Sequence, residues 1–188
     1  MYLHYLKPLI DFLLAAFFLI LFAPILFLLG VVLQFHLNEA PVFFQRRIGK
    51  DGVPFIIFKF KTINRKRETT TLTKFYRKYK LDELPQLFNV VQGKMSLVGP
   101  RPDIPGYYDR LIGEDRSILN LKPGLTGYAS LKYFNEEEIL NKVDDPRRYN
   151  DEVIFPEKVK LNLYYLKNIS LWLDMKIIFK TIFLPIMK

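Results

Sequence analysis

An apolar run near the amino terminus constrains the fold of this chain more than any other feature. Between Leu9 and Leu33 only Asp11, Pro24 and Gly30 interrupt a series of hydrophobic residues. As a helix, these roughly 25 residues would extend about 37 Å, which exceeds the roughly 30 Å hydrocarbon core of a bilayer. A cleaved signal peptide has a shorter apolar core, of about 7–15 residues, before a small-residue cleavage site. The run therefore predicts a membrane helix rather than a leader.

The residues that flank this helix bear on its topology. Lys7 precedes the run, and Arg46, Arg47 and Lys50 follow it, so both ends carry the positive charge that normally stays in the cytoplasm. Pro24 removes a backbone donor and should kink the helix at mid-depth. A kinked helix could enter and leave by one face, whereas a straight one would be an ordinary anchor that tolerates a proline. The residues alone leave both topologies open.

Composition narrows the chemistry of the rest of the chain. With 188 residues, 50% of them hydrophobic, the chain suits one globular domain with an appendage. Its formal charge of +9 indicates an anionic partner, which could be nucleic acid, a bilayer surface or a phosphorylated substrate. Cysteine is absent, and the two histidines, His4 and His36, flank the apolar run. Carboxylates must therefore carry any acid, base or nucleophilic chemistry.

Two short strands are predicted after the membrane helix, Pro41–Phe44 and Val53–Lys61, on either side of a turn at residues 49–52. Alternation in the second strand places phenylalanines on one face and both Lys59 and Lys61 on the other. The two lysines should therefore project together. A solvated strand face explains the same alternation, so a role in binding anions stays open.

Three further segments mix apolar and basic residues at helical spacing: Leu72–Lys80, Phe155–Leu166 and Leu171–Met187. Each is typical of an amphipathic helix that lies in a membrane interface. Packing of the apolar residues onto a protein core explains the spacing equally well, and the pattern does not choose between the two.

The segment Leu81–Val91 contains adjacent carboxylates at a predicted helix start. Its apolar spacing predicts a helix with Asp82 as the N-cap and Pro85 in the first turn. Asp82 and Glu83 would then lie at the positive end of a helix, where ionised carboxylates and phosphate groups are both stabilised. Taken alone, such a pair is more often a structural cap than a catalytic site.

Two segments rich in glycine and proline follow. The first, residues 93–102, runs into a short strand and then a stiff turn, because Pro100 and Pro102 restrict the backbone beside Arg101. A guanidinium on a rigid turn loses little entropy when it binds phosphate. The second, Lys122–Gly127, is predicted as a tight turn that brings backbone donors close to a ligand.

Four motifs occur in order along the chain: Phe58-Lys59-Phe60-Lys61, Leu81-Asp82-Glu83-Leu84-Pro85-Gln86-Leu87, Met95-Ser96-Leu97-Val98-Gly99-Pro100-Arg101-Pro102 and Lys122-Pro123-Gly124-Leu125-Thr126-Gly127. In that order they resemble the motifs of the bacterial sugar transferases called monotopic phosphoglycosyl transferases. The resemblance covers nearly the whole chain, and its combination of Asp-Glu and Gly-Pro-Arg-Pro is highly specific. The length is that of the small members of the family.

The resemblance implies a two-step reaction. Asp82 attacks the sugar-bearing phosphate of a UDP-sugar, UMP leaves, and polyprenyl (undecaprenyl) phosphate then takes the phosphosugar from Asp82. The product is a polyprenyl diphosphosugar, made in the first membrane step of glycoconjugate and polysaccharide biosynthesis. The expected cofactor is Mg²⁺, held by Asp82 and Glu83 together with substrate phosphate. Glu83 could instead orient the carrier phosphate or hold Lys59, and the sequence does not decide.

The resemblance also implies a set of substrate-binding residues: Lys59, Lys61, Gln86, Arg101 and Pro102. Arg101 is the strongest candidate, because a guanidinium can bind phosphate in a bidentate manner. The chain departs from the family at three places. Lys61 stands where arginine is common, Ala23 replaces the serine before the membrane proline, and Tyr128-Ala129-Ser130 replaces a Trp-Ala-Gln-like ending.

These inferences combine into one expected architecture. We expect an α/β fold, mainly α, in which residues 1–36 form a kinked re-entrant membrane helix broken at Pro24 and residues 37–188 form a compact catalytic domain with short strands and interfacial amphipathic helices. The enzyme should be monotopic on the cytoplasmic face of the bacterial inner membrane, with UDP-sugar, polyprenyl phosphate and membrane lipid as partners and no nucleic acid. The competing hypothesis is a membrane-anchored basic module that binds anionic lipid or nucleic acid without catalysis. The sugar, the final glycoconjugate and the oligomeric state stay open.

Overall fold

The computed structural model describes the backbone of residues 1–187 and the side chains of residues 1–184. Helices dominate the chain, and the strands form two small two-stranded sheets. The α-helices are α1 (Lys7–Leu37), α2 (Thr71–Lys78), α3 (Leu87–Val91), α4 (Tyr128–Lys132), α5 (Glu136–Leu140), α6 (Pro146–Tyr149), α7 (Phe155–Asn168) and α8 (Leu171–Met187). The strands are β1 (Val42–Ile48), β2 (Pro54–Phe60), β3 (Ser96–Val98) and β4 (Gly124–Thr126). The predicted class, α/β with mostly helix, is confirmed.

The long helix α1 is the one that the apolar run predicts. With a preceding π-helical turn it extends from Tyr2 to Leu37, and its most apolar window has a mean hydropathy of 3.0 with 6% buried. Among the described residues it is the one helix long and apolar enough to cross a membrane. Large side chains along it, such as Phe17, Ile20 and Phe27, are more than half exposed, at 58%, 78% and 76%. Apolar surface of this extent indicates contact with lipid.

Both halves of α1 pack against the rest of the protein. In the first half Ala15 is fully buried in the main core, where α1 contacts α3. In the second half Leu33 is fully buried together with Phe60 and Tyr76, and the Tyr76 hydroxyl donates to the Leu29 carbonyl at 3.2 Å. The helix therefore lies along the domain rather than projecting from it.

The predicted break at Pro24 does not interrupt α1. Helical backbone continues on both sides of the proline, from Lys7 to Leu37, because packing holds the two halves even where proline removes a hydrogen bond. A kink at Pro24 stays a prediction. The helix ends where Asn38 adopts a left-handed conformation (φ 51°, ψ 39°), which asparagine tolerates better than most residues.

The strands β1 and β2 form an antiparallel hairpin around the predicted turn. β1 continues to Ile48, four residues past the predicted end, because Arg46 and Arg47 pair with β2 despite their charge. Lys59 shares a hairpin face with the buried Ile57, so it points inward, and its side chain is 17% exposed. A fully solvated lysine face is therefore wrong for Lys59.

The strands β3 and β4 pair in parallel. Within the segment Lys122–Gly127, residues 124–126 thus form a strand where a tight turn was predicted, and the approach of its backbone donors to a ligand stays a prediction. Its glycines serve a close approach between two backbones. A Cβ on Gly99 would lie 2.5 Å from the carbonyl oxygen of Lys122, and a Cβ on Gly124 would lie 2.1 Å from the amide nitrogen of Gly99. Only glycine fits where the two strands meet so closely.

The three predicted amphipathic helices divide between packing and exposure. In α2, Tyr76 is buried against α1, whereas Phe75 is 51% exposed among basic residues. Core packing accounts for most of α7, which buries Val159 and Tyr165. The helix α8 has the predicted bounds and exposes aromatic side chains, including Trp172 at 80%. An exposed apolar face of this kind is typical of an interfacial helix.

Candidate active site

Asp82 and Glu83 lie on a 3₁₀ helix, Leu81–Gln86, that leads into α3. The predicted N-cap role of Asp82 is wrong: Lys80 occupies the cap position in a left-handed conformation (φ 56°), and no side chain caps this helix. The short helix packs against β2, and the two acidic residues are buried, at 8% and 6% exposed. Contact between elements, rather than the positive end of an α-helix, sets the environment of both carboxylates.

Glu83 is the centre of a buried group of ion pairs with Lys59 and Arg101, which we name the Glu83 cluster. The Lys59 ammonium donates to Oε1 of Glu83 at 3.3 Å. Arg101 binds the same carboxylate in a bidentate manner, with Nη1 donating to Oε2 at 2.9 Å and Nη2 donating to Oε1. The cluster joins β2, the 3₁₀ helix and the turn after β3. Of the roles that the sequence left open for Glu83, the geometry matches the holding of Lys59.

The Glu83 cluster keeps its carboxylate ionised. Burial acts to raise the pKa of Glu83, but the charges of Arg101 and Lys59 outweigh burial and hold the pKa well below its ordinary value. Glu83 in turn raises the pKa of Arg101. Burial lowers the pKa of Lys59, although Glu83 opposes this effect. Glu83 is therefore committed to its two cationic partners.

Asp82 differs from its neighbour because one of its oxygens is unused. Its Oδ1 is buried and has no hydrogen-bond partner. Burial, followed by the charge of Glu83, raises the pKa of Asp82 to about 6, although Lys59, Lys80 and Arg101 act against this rise. At neutral pH Asp82 is mostly ionised, yet it is less stabilised than an ordinary aspartate. Such a carboxylate is suited to act as a nucleophile or a metal ligand.

A small cavity lies beside the Glu83 cluster. Its volume is about 10 Å³, and its lining consists of Arg47, Ile57, Lys59, Gln86, Arg101 and Pro102. Arg47 Nε and Gln86 Nε2 are buried donors without a partner. With Asp82 Oδ1 they make three of the four buried, unpartnered side-chain atoms in the described part of the chain, the fourth being Ser130 Oγ. Since buried polar atoms are normally bonded, this concentration indicates a ligand site.

The structure brings four of the five predicted substrate-binding residues to this cavity and leaves Lys61 apart. The Lys61 ammonium binds the carboxylate of Glu39, which also accepts a hydrogen bond from the backbone N–H of Arg65 at 3.0 Å. Lys61 does not line the cavity. Its role in substrate binding stays a prediction.

Arg47 is a cavity residue that the motifs miss. In the sequence its charge indicates only the topology of α1. In the structure its Nη2 donates to the Gln45 side chain at 2.7 Å, and its Nη1 lies 3.9 Å from Oδ1 of Asp103. The register of the hairpin could have found it, because Arg47 and Lys59 share a face once the turn at residues 49–52 is accepted.

Of the two carboxylates, that of Asp82 is better suited than that of Glu83 to bind a magnesium ion. Asp82 Oδ1 has no partner, whereas Arg101 and Lys59 engage both oxygens of Glu83. The described residues contain no cluster of three or more histidines, aspartates and glutamates that could hold a metal on its own. Mg²⁺ often binds one or two carboxylates and takes its other ligands from water and substrate phosphates. A magnesium ion bound at Asp82 would therefore take its other ligands from water and substrate.

Known proteins resemble this chain over most of its length. It is similar to the UDP-N-acetylgalactosamine-undecaprenyl-phosphate N-acetylgalactosaminephosphotransferase of Aeromonas hydrophila, with 32% identity over 95% of this chain and 43% of that protein. It is similar to the UDP-glucose:undecaprenyl-phosphate glucose-1-phosphate transferase of Klebsiella pneumoniae, with 32% identity over 94% of this chain and 39% of that protein. A protein of the same name from Caulobacter vibrioides is 30% identical over 94% of this chain and 68% of its own length. The chain thus spans less than half the length of the first two relatives.

The family model described as bacterial sugar transferase matches residues 2–188. The match includes α1, the Glu83 cluster and α8, so it is not confined to one motif. It confirms the resemblance carried by the four ordered motifs. The chain belongs to the bacterial sugar transferase family.

Proposed function

We propose that this protein is a phosphoglycosyl transferase that moves a phosphosugar from a UDP-sugar to polyprenyl phosphate. The observation that carries the proposal is the buried, unpartnered oxygen of Asp82 beside the cationic Glu83 cluster. The names of the relatives support the choice of substrates, because each name contains both a UDP-sugar and undecaprenyl phosphate.

The reaction proceeds by two displacements at one phosphorus. An Asp82 oxygen attacks the sugar-bearing phosphate, the bond from that phosphorus to the bridging oxygen breaks, and UMP leaves with the electron pair. In the second step an oxygen of polyprenyl phosphate attacks the same phosphorus, and the bond to Asp82 breaks. The carboxylate is regenerated, so two easier displacements replace one difficult one.

The cations of the Glu83 cluster oppose the repulsion between a carboxylate and a diphosphate. Arg101 and Lys59 lie beside Asp82, where they stabilise the charge that develops on the phosphoryl oxygens. Glu83 holds both cations in place and therefore positions them. The Gln86 amide has a buried, unused N–H donor for substrate oxygens, and Pro102 limits the motion of the Arg101 turn.

Asp82 would hold the magnesium ion together with phosphate oxygens of the donor. When bound, the ion would neutralise diphosphate charge and make UMP a better leaving group. Glu83 as a second protein ligand stays a prediction, because its oxygens are engaged by Arg101 and Lys59.

The protein would act as a monotopic enzyme on the cytoplasmic face of the membrane, with α1 entering and leaving by that face. Support comes from the packing of both halves of α1 on one domain, from Ala15 to Leu33. A helix that crossed the bilayer along this contact would place the polar domain in hydrocarbon, where its charged groups are costly. Positive charge at both ends of α1 supports the same arrangement.

Release of UMP tests the proposal. The purified protein is incubated with Mg²⁺, undecaprenyl phosphate and each member of a UDP-sugar panel. We expect UMP release that depends on the carrier in the parent, and a loss of roughly 10³-fold or more in Asp82→Asn. With donor but no carrier, the mass of the parent should rise by one phosphosugar, and the modified peptide should contain Asp82.

The matched control is Asp115→Asn, which alters an exposed aspartate on the surface. Its rate of UMP release should match that of the parent. UMP release that survives in Asp82→Asn would remove Asp82 as the nucleophile. A parent that turns over no donor would instead favour the anion-binding membrane module.

A further inference from the structure

We infer that Arg47 binds the phosphate of the donor that leaves with the nucleoside. The inference rests on the proposed function, because it assigns a further residue to the same donor site.

Arg47 reaches the site through the register of the hairpin. The register places Arg47 opposite Phe55 and Phe43 opposite Lys59. Since residues on a strand alternate between faces, Arg47 and Lys59 project from the same face of the hairpin. Both side chains line the cavity together with Arg101.

Arg47 is the least compensated of the three cations at this cavity. Lys59 and Arg101 share the Glu83 carboxylate, whereas the carboxylate nearest to Arg47, that of Asp103, is 3.9 Å away. The side chain of Arg47 is only 18% exposed, and its buried Nε has no hydrogen-bond partner. Arg47 therefore retains both charge and a buried donor for an anion, and phosphate matches the planar donor geometry of a guanidinium.

The position of Arg47 along the hairpin selects one of the two donor phosphates. Lys59 and Arg101 bind Glu83, the chain neighbour of Asp82, so these two cations flank the phosphate that Asp82 attacks. Arg47 lies four residues along β1 from the position opposite Lys59, about 13 Å at the backbone. Its side chain approaches the cavity from the turn end of the hairpin. The second phosphate, farther from Asp82, is the one that Arg47 can bind.

This position gives Arg47 a defined part in the first step. As the bond between phosphorus and the bridging oxygen breaks, the electron pair stays on that oxygen and negative charge grows on UMP. A guanidinium at the UMP phosphate stabilises that charge without forming a covalent bond or transferring a proton.

The test measures UMP as a ligand and as a competitive inhibitor of the donor. In Arg47→Gln we expect the Kd and Ki of UMP, and the KM of the donor, to rise about 10- to 100-fold, as for loss of a charged hydrogen bond. Arg47→Lys should give values between those of the parent and those of Arg47→Gln, because lysine keeps the charge but loses the planar, bidentate geometry of the guanidinium. The matched control is Arg46→Gln, which removes an exposed arginine from the opposite face of the hairpin and should match the parent.

A second variant separates ligand binding from a purely structural pairing. Asp103→Asn removes the same ion pair but leaves the guanidinium, so UMP should bind as tightly as in the parent or more tightly. The inference is overturned if Asp103→Asn weakens UMP binding as much as Arg47→Gln does. It is also overturned if the Kd of UMP and the KM of the donor in Arg47→Gln match those in Arg46→Gln.

Failure of the proposed function would give a different result. A parent that binds no UMP, measured without turnover by calorimetry, overturns the proposed donor site and the role of Arg47 together. A parent that binds UMP and releases it from a UDP-sugar, with no effect in the Arg47 variants, overturns the role of Arg47 alone.

Discussion

Two buried groups of charges in this protein differ in how completely their polar atoms are bonded. The Glu83 cluster lies beside three buried atoms without partners, on Arg47, Asp82 and Gln86. The other group, which we name the Asp174 network, is built on Lys7, Asp11 and Asp174, whose side chains are 5%, 10% and 6% exposed. Among the described residues, none of the buried side-chain atoms of this network lacks a partner.

The Asp174 network joins the start of α1 to α8 and α7. Asp174 accepts hydrogen bonds from the Lys7 ammonium and from the hydroxyls of Tyr2 and Tyr165, each at 2.6 Å. The Lys7 ammonium also lies 3.6 Å from the Asp11 carboxylate.

Asp11 extends the network to the strand that leads to the candidate active site. It accepts hydrogen bonds from the Ser96 hydroxyl at 2.6 Å and from the Leu97 backbone N–H at 3.2 Å. Both residues belong to β3, which precedes the turn carrying Arg101.

The difference teaches which buried charges stabilise the fold and which serve a ligand. A network whose atoms are all bonded has no donor or acceptor left, so its effect is to hold α1 and β3 in place. The site around Glu83 retains unused atoms, and a buried polar atom without a partner lowers stability unless a ligand bonds to it. Substitutions in the first group should therefore change stability, whereas substitutions in the second group should change activity as well.

Lys7→Met should give the largest loss of stability. It leaves Asp11 and Asp174 buried without a cation, and breaking a buried ion pair from one side lowers the free energy of unfolding by roughly 3–5 kcal/mol. The thermal unfolding temperature of the protein in detergent should fall accordingly. The control is Lys176→Met, which removes an exposed lysine of α8. Equal unfolding temperatures for the two variants would contradict a structural role for the Asp174 network.

Glu83→Gln should lower stability by about 3 kcal/mol, at the lower end of the range for buried pairs. Lys59 and Arg101 lose their shared counter-charge, although Arg101, with a side chain 36% exposed, can regain some hydration. Glu114→Gln, which alters a surface pair with Lys167 (69% and 64% exposed), is the control and should change stability little. A loss no larger than that of the control would show that the Glu83 cluster is not effectively buried.

Whereas the two preceding variants lower the free energy of unfolding, Asp82→Asn should raise it, by roughly 2–3 kcal/mol above pH 7. Folding raises the pKa of Asp82 to about 6. The protonated side chain therefore contributes to folding stability below the ordinary pKa of an aspartate, and this contribution is lost as the pH rises through about 6. The variant removes this penalty. Unfolding temperatures of the variant and the parent, measured without Mg²⁺, should therefore differ at pH 8 and converge near pH 4. A variant less stable than the parent at pH 8 would contradict the raised pKa.

The smallest effect concerns the pH dependence of the first step. In the proposed mechanism Asp82 must be ionised to attack, so kcat/KM for the donor should fall about tenfold per pH unit below the pKa of about 6 and level off above it. The profile is measured from UMP release between pH 5 and pH 8. A profile that stays level down to pH 5 would place the pKa of Asp82 near that of an ordinary aspartate.

Local motifs predicted which residues belong to the candidate site better than they predicted how those residues are arranged. Asp82, Glu83 and Arg101 were identified because each belongs to a short motif whose spacing is visible in the chain. The N-cap role of Asp82 was wrong, because contact with β2 buries its carboxylate and capping propensity contains no information about such contacts. Arg47 was missed for the same reason, since its position at the cavity depends on pairing across the hairpin.

By itself, the sequence determined the membrane helix, the hairpin turn, the bounds of α8 and the acidic pair at residues 82 and 83. These features follow from runs, periodicity and turn residues that act over a few positions. Only the tertiary structure decided that Lys59 meets Glu83 whereas Lys61 meets Glu39, and that Lys7 pairs with Asp174. These partners are distant in sequence, and identical side chains only two residues apart acquire different partners because packing, rather than local spacing, brings charges together.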